Sequence, residues 1–248
     1  MNTNRYSTAQ FTNTNFVTYG LLLLITGIHI YLMRLDRFEQ IQVYYDYANS
    51  RPEILEGQYY RLFTSMFLHV DLAHLVSNGL GLYIFGTSVE QLFGHLRFLL
   101  LYVLGGLAGS LASFVISGGS SVGASGAVFA IFGALATYFF VHRDLYGKVA
   151  NQQLRSMAML AALNLGLGLL SNNIPGSNIR IDNAAHIGGA IGGLVLAGMI
   201  GPRYVRRLGI DLTGQPFEQL IDTSRLSHWL PALGVYIVML VAIFAAAL

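Results

Sequence analysis

Apolar residues in this chain fall into seven long runs separated by polar stretches, at 16–34, 67–86, 96–117, 124–142, 156–172, 184–200 and 228–247. A helix needs about 20 predominantly apolar residues to cross a bilayer, so each run is predicted to be a membrane-spanning helix. The first and last are plain aliphatic and aromatic segments. The middle five are rich in Gly, Ala, Ser and Asn. Small residues let helices approach closely in a membrane, where no hydrophobic effect draws them together. The predicted fold class is all-α, a polytopic membrane helical bundle with a six-helix core plus a seventh helix.

The stretches between the runs add a layout and an orientation. Residues 1–15 are polar with one cation, Arg5, and are expected to form a short cytoplasmic tail. They are not read as a cleavable signal, because the following run is long and ends at Arg34 without a small-residue cleavage site. Residues 16–200 would be the membrane core, 201–227 a basic cytoplasmic connector and 228–248 an additional C-terminal helix. The stretch 35–62 is long for a connection and carries Tyr44, Tyr45, Tyr47, Tyr59 and Tyr60. Aromatic residues favour the headgroup level, so this stretch is expected in the outer interface. With the N-terminus inside, nine basic residues fall on the inner side (Arg5, Arg97, Arg143, Lys148, Arg155, Arg203, Arg206, Arg207 and Arg225) and five on the outer (Arg34, Arg37, Arg51, Arg61 and Arg180). This is a moderate bias in the sense of the positive-inside rule. The C-terminus is then outside, and a cell (inner) membrane is the expected location.

Composition supports this reading. Of 248 residues, 54% are hydrophobic and 10% charged, against about 25% charged in a soluble domain. The mean hydropathy is +0.56, so the expectation is an integral membrane protein of one domain. The chain has no cysteine, which excludes disulfides, thiolate metal sites and cysteine nucleophiles. A net charge of +2 gives no reason to expect a nucleic-acid partner. No internal repeat is evident, which weakens transporter readings built on repeated halves.

Polar groups inside a bilayer are costly and usually mark function. Ser125 stands in Gly123-Ala124-Ser125-Gly126 at the head of the fourth run, and His186 stands near the start of the sixth. A serine hydroxyl becomes a nucleophile when a neighbouring base takes its proton. Gly189 and Gly193 form a small-residue face on the sixth run, and Gly126, Ala130 and Ala134 a matching one on the fourth, so the two helices can come close. Standing alone, the pair reads equally well as a hydrogen-bonded packing device.

It does not stand alone. The second run opens with His69, His74 and Asn78. His74 and Asn78 are four residues apart and share one helical face. Runs two, four and six all cross in the same direction, so these polar residues meet at one depth. Acyl transfer passes through an oxyanion, and placed donors aimed at it are often the largest catalytic term. The Ser125 N–H is a natural third donor, with Gly123 and Gly126 easing the turn around it. A soluble α/β-hydrolase is excluded, because Ala127 stands where its Gly-x-Ser-x-Gly elbow needs glycine and no strand precedes it.

Together, Gly123-Ala124-Ser125-Gly126, His69 with His74 and Asn78, and Ala185-His186 followed by Gly189 and Gly193 resemble the rhomboid intramembrane serine proteases over roughly residues 16–200. The resemblance implies a Ser125 nucleophile, a His186 general base, and an oxyanion site from His74, Asn78 and the Ser125 amide, with Gly123 beside it. Tyr60-Arg61 sits where the family often has Trp-Arg. Glu90 looks like the family's inner structural glutamate. Phe129 occupies a position where an aromatic commonly stacks on the catalytic histidine.

His69 is five residues before His74 and is expected to point elsewhere; structural and catalytic roles both stay open for it. Asp182 lies one turn before His186 and invites a third catalytic member. Its place in the loop 171–183 suggests a solvated carboxylate instead, which leaves a Ser–His dyad. His29, His95, His142 and His228 lie near run ends and are expected to be structural or interfacial. A metal site is disfavoured because no His-Glu-x-x-His pattern is present, and no cofactor is expected. The expected function is cleavage of single-span transmembrane proteins near the outer face of the bilayer. The segment 156–176 would act as a moving gate. The rival readings are a non-catalytic rhomboid-like protein that binds membrane clients and a small-molecule transporter.

Overall fold

The computed structural model describes residues 7–8, 14–174, 180–210 and 216–248. It is a helical bundle, and the apolar runs form its principal helices: α1 (Phe16–Leu32), α7 (His95–Ile116), α8 (Ser125–Val141), α10 (Lys148–Asn173), α11 (Asn183–Ile200) and α12 (Leu226–Ala247). Among the described residues α7, α10, α11 and α12 are long and apolar enough to cross a membrane, and α1 and α8 are shorter apolar helices. The protein is an integral membrane protein of this helical class.

The second run is built differently. Asp71 caps α5 (Leu72–Gly81) by accepting the His74 N–H at 2.7 Å, so the helix starts after His69. A π-turn, Leu82–Gly86, leads into α6 (Thr87–Phe93). Gly94, at φ +81°, then turns the chain into α7. The stretch 35–62 carries short helices rather than an irregular loop: α2 (Arg37–Tyr47), α3 (Arg51–Leu55) and α4 (Arg61–Thr64). Asp36 and Glu39 form a reciprocal capping box on α2, which satisfies two otherwise unpaired N–H groups.

Three helices meet at the centre. A methyl group added at Gly105 of α7 would overlap Ala130 of α8, and one at Gly188 of α11 would overlap Ala112 of α7. Phe98, Leu101, Tyr102, Ile131 and Leu196 fill the space around this contact and are fully buried. The outer helices are less enclosed. On α12 only Trp229 and Tyr236 are buried, and on α10 only Ala150, Met157 and Gly168.

The connector after α11 folds into a small sheet that its hydrophobic pattern did not announce. β2 (Tyr204–Ile210) pairs antiparallel with β3 (Pro216–Asp222), from Tyr204↔Asp222 to Ile210↔Pro216. A short β1 (Ser7–Thr8) lies along the other edge of β3. After the short α9 (Arg143–Tyr146), Gly147 turns into α10 at φ +54°. The sheet docks at the end of the bundle opposite Ser125. The Tyr204 N–H donates to His142 Nε2 at 2.9 Å, and Arg97 pairs with Asp222 at 3.0 Å.

Candidate active site

Ser125 is the first residue of α8, and the turn before it depends on glycine. Gly123 has φ +128°, a conformation that side chains with a Cβ rarely adopt. Ala124 provides no side-chain cap, so the first N–H groups of α8 have no partner within the helix and its positive dipole end lies there. The Ala124 N–H donates to His69 Nε2 at 3.4 Å. Ser125 itself is half-buried.

His74 and Asn78 converge on this turn from α5. A Cβ at Gly123 would lie 2.6 Å from His74 Nε2 and 3.5 Å from Asn78 Nδ2. Among the described residues the Asn78 amide nitrogen is buried without a hydrogen-bond partner. An unpaired buried donor costs about 1–3 kcal/mol, so this arrangement stores a hydrogen-bonding group beside Gly123, two residues before Ser125.

His186 lies in the first turn of α11 and is 6% exposed. Its ring stacks on Phe129, one turn below Ser125, with centroids 4.3 Å apart and planes 12° from parallel. The glycines beneath explain how the helices come so near. A methyl at Gly189 would overlap the Gly126 carbonyl oxygen, and one at Gly193 would overlap that of Ala130. Among the described residues no hydrogen bond joins Ser125 to His186, and His186 Nδ1 has no partner. In ligand-free enzymes such bonds are often long and tighten only with substrate.

Two expectations need correction. His69 does not point away from His74. It precedes α5, so helical phase does not govern it, and its ring meets His74 edge-on at 5.1 Å. Its carbonyl accepts from the Tyr44 hydroxyl at 2.7 Å and from His29 Nδ1 at 3.1 Å. Asp182 is not a freely solvated loop carboxylate either. It caps α11 by accepting the Ala185 N–H at 3.0 Å, and it accepts the hydroxyls of Ser113 and Ser117 from α7. An acid three residues before Ala185, at the head of an apolar run, is the sequence signature of a cap.

The remaining candidates sit around this centre. Arg61 is buried, and its guanidinium donates to Gln58 Oε1 at 2.9 Å and to the Tyr45 and Ala48 carbonyls. It thereby ties α4 to the end of α2. Glu90 lies at the opposite end of the bundle. There it accepts the N–H groups of Val17 and Thr18 and the Thr18 hydroxyl, and contacts His95. His142 is held by Tyr138 and the sheet, and His228 is exposed. No group of three His, Asp or Glu among the described residues is placed to hold a metal ion. Of the expected gate, Pro175 and Gly176 lie outside the described residues.

The family described as Rhomboid domain matches residues 56–203. The rhomboid protease GluP of Bacillus subtilis (strain 168) is 40% identical over 154 residues, which is 62% of this chain and 28% of that protein. RHOMBOID-like protein 5 of Arabidopsis thaliana is 33% identical over 170 residues, 64% of this chain and 52% of that protein. RHOMBOID-like protein 2 of the same plant is 37% identical over 157 residues, 62% of this chain and 47% of that protein. The chain thus spans about a quarter to a half of the length of these relatives.

Proposed function

This chain belongs to the rhomboid family of membrane serine proteases, and from that premise we propose that it cleaves transmembrane proteins with a Ser125–His186 dyad. The observation that carries the reading is the meeting of three helices at one turn. The open N-terminus of α8 presents Ser125, α11 presents His186 on the Phe129 ring, and α5 presents His74 and the unpaired Asn78 amide beside Gly123.

The chemistry follows from these positions. The Ser125 hydroxyl oxygen attacks the scissile carbonyl carbon while a His186 ring nitrogen takes its proton. Negative charge builds on the former carbonyl oxygen. The Ser125 N–H, the Asn78 amide and the His74 ring surround that position and stabilise the charge as it develops. His186 then protonates the leaving nitrogen, and water hydrolyses the acyl-enzyme by the reverse sequence of transfers. Because His186 Nδ1 meets no acceptor, the imidazole is held by stacking rather than by an acid.

Residues 16–200 form the catalytic core in this reading. Residues 201–227 are a cytoplasmic connector, and 228–248 a helix added to the core. The N-terminus is cytoplasmic and cleavage occurs near the outer face of a cell membrane. The substrate is a single-span protein whose helix unwinds locally, because a hydrogen-bonded helical amide is shielded from attack. Weak helix formers such as Gly or Pro near its outer end mark suitable substrates. The sparse burial of α10 supports its use as the moving gate. A disulfide engineered between α10 and α5 then slows cleavage.

The test is direct. The protein purified in detergent is given a single-span reporter substrate and a serine-reactive fluorophosphonate, beside Ser125→Ala and His186→Ala. Cleavage and labelling of the unaltered chain, lost in both variants, are expected. Activity that survives Ser125→Ala would falsify the assignment.

A further inference from the structure

Asp182 invites a triad reading, but its oxygens point elsewhere. Oδ1 accepts the Ala185 N–H at 3.0 Å and the Ser117 hydroxyl at 2.9 Å, and Oδ2 accepts the Ser113 hydroxyl. A carboxylate has about four acceptor positions, so three are taken by donors from α7 and α11. The nearby Ser121 hydroxyl also favours the ionised form. The backbone N–H of His186, four residues on, bonds the Asp182 carbonyl at 3.1 Å. The His186 ring feels the Asp182 charge only through space; it receives no hydrogen bond from the carboxylate, since Nδ1 is buried and unpaired among the described residues.

The same carboxylate holds the far side of the site. Ser117 caps the C-terminal end of α7 and begins the segment that delivers Ser125. That segment is pinned again at Ser121, whose N–H and carbonyl pair with Asn49 at 2.9 Å each, and at Gly123, whose N–H donates to the Ser65 carbonyl at 2.9 Å. The Asn49 amide in turn donates to the Ser110 carbonyl at 2.8 Å. One side chain therefore spans the start of the helix carrying His186 and the origin of the loop carrying Ser125.

We infer that Asp182 is a positioning residue, which sets the separation of Ser125 and His186 by clamping the cap of α11 to the serines of α7, and does not orient the imidazole. The inference rests on the dyad reading above. It separates from a triad acid by what the neighbours do. In a triad, replacing the acid by its amide costs about 10⁴-fold in kcat because the imidazole is left in the wrong tautomer, and remote serines are silent. In a clamp, the amide still caps the helix, and the serines matter.

The experiment compares Asp182→Ala, Asp182→Asn and the double variant Ser113→Ala/Ser117→Ala in full-length protein. Cleavage kinetics and fluorophosphonate labelling are measured, with Ser125→Ala as the control for the dyad. The expected result is a kcat reduced roughly 10²-fold in Asp182→Ala, as a displaced catalytic group allows, with KM little changed. Asp182→Asn should recover most of that loss, and the double serine variant should reproduce part of it. Equal damage in Asp182→Asn and Asp182→Ala with silent serines would overturn the clamp. A thermal double-mutant cycle between Asp182→Ala and the serine pair reads the clamp without activity. Non-additive changes in Tm support it, and additive changes overturn it. Cleavage persisting in Ser125→Ala removes the dyad itself, and the cycle then still reports on the contact alone.

Discussion

Gly189 and Gly126 face each other across the α8–α11 contact, and an added methyl should have opposite consequences at the two positions. At Gly189 a Cβ would overlap the Gly126 carbonyl oxygen, a backbone atom that cannot rotate away. At Gly126 a Cβ would meet the Ala185 oxygen and the Gly109 Cα at 3.5 Å each, ordinary contact distances. Alanine is favoured over glycine in a helix by about 0.8–1.0 kcal/mol. Overpacking costs about 1–3 kcal/mol, so Gly189→Ala is expected to lose up to about 2 kcal/mol of stability. Gly126→Ala should be neutral or slightly stabilising. The larger effect is on rate. Relieving the overlap moves α11 from α8 by roughly 1 Å, and a shift of that size at a catalytic centre can cost about 10²-fold. Initial cleavage rates over a range of substrate concentrations, with Tm measured in the same detergent, read both quantities. Two outcomes would refute the reasoning: wild-type rate and Tm in Gly189→Ala, or equal damage in the two variants.

Three further outcomes are expected. On the proposed mechanism, His74→Ala removes one donor to the developing oxyanion, so kcat should fall by about 10²–10³-fold with KM little changed; a rise in KM alone would assign His74 to substrate binding. Glu90→Ala leaves the Val17 and Thr18 N–H groups of α1 without their acceptor. It should cost about 1–3 kcal/mol and lower Tm while the rate per folded molecule stays constant; an unchanged Tm would show that α1 is held otherwise. Burial opposes ionisation of Asp182, but the donors from Ser113, Ala185, Ser121 and Ser117 outweigh it and hold the carboxyl below its usual range. Its contribution to stability is therefore complete above the ordinary carboxyl value of about 3.9 and lost as pH falls through the lower folded-state value. Asp182→Asn should flatten the decline in Tm over that acid range, and identical declines in both proteins would contradict it.

The apolar runs determined the helices because a membrane leaves the backbone no other partner than itself. The principal helices accordingly begin and end near the limits of their runs, except α10, which starts at Lys148, eight residues before its run at 156. Ser125, His186, His74 and Asn78 stood out as candidates for a related reason, since polar groups are costly in such runs. The sheet of β2 and β3 was not legible, because its pairing partners are residues such as Tyr204 and Asp222 whose alternation is weak and whose anchors, His142 and Arg97, are distant in sequence. Helical phase placed His69 wrongly because Asp71 starts α5 later than the apolar run begins. The neighbourhood of Asp182 shows the limit most clearly. The sequence by itself determined that an acid precedes His186 by one turn. Only the tertiary structure decided that its oxygens face Ser113 and Ser117 of another helix, because a carboxylate goes to the donors that folding brings within reach, and spacing along the chain does not record them.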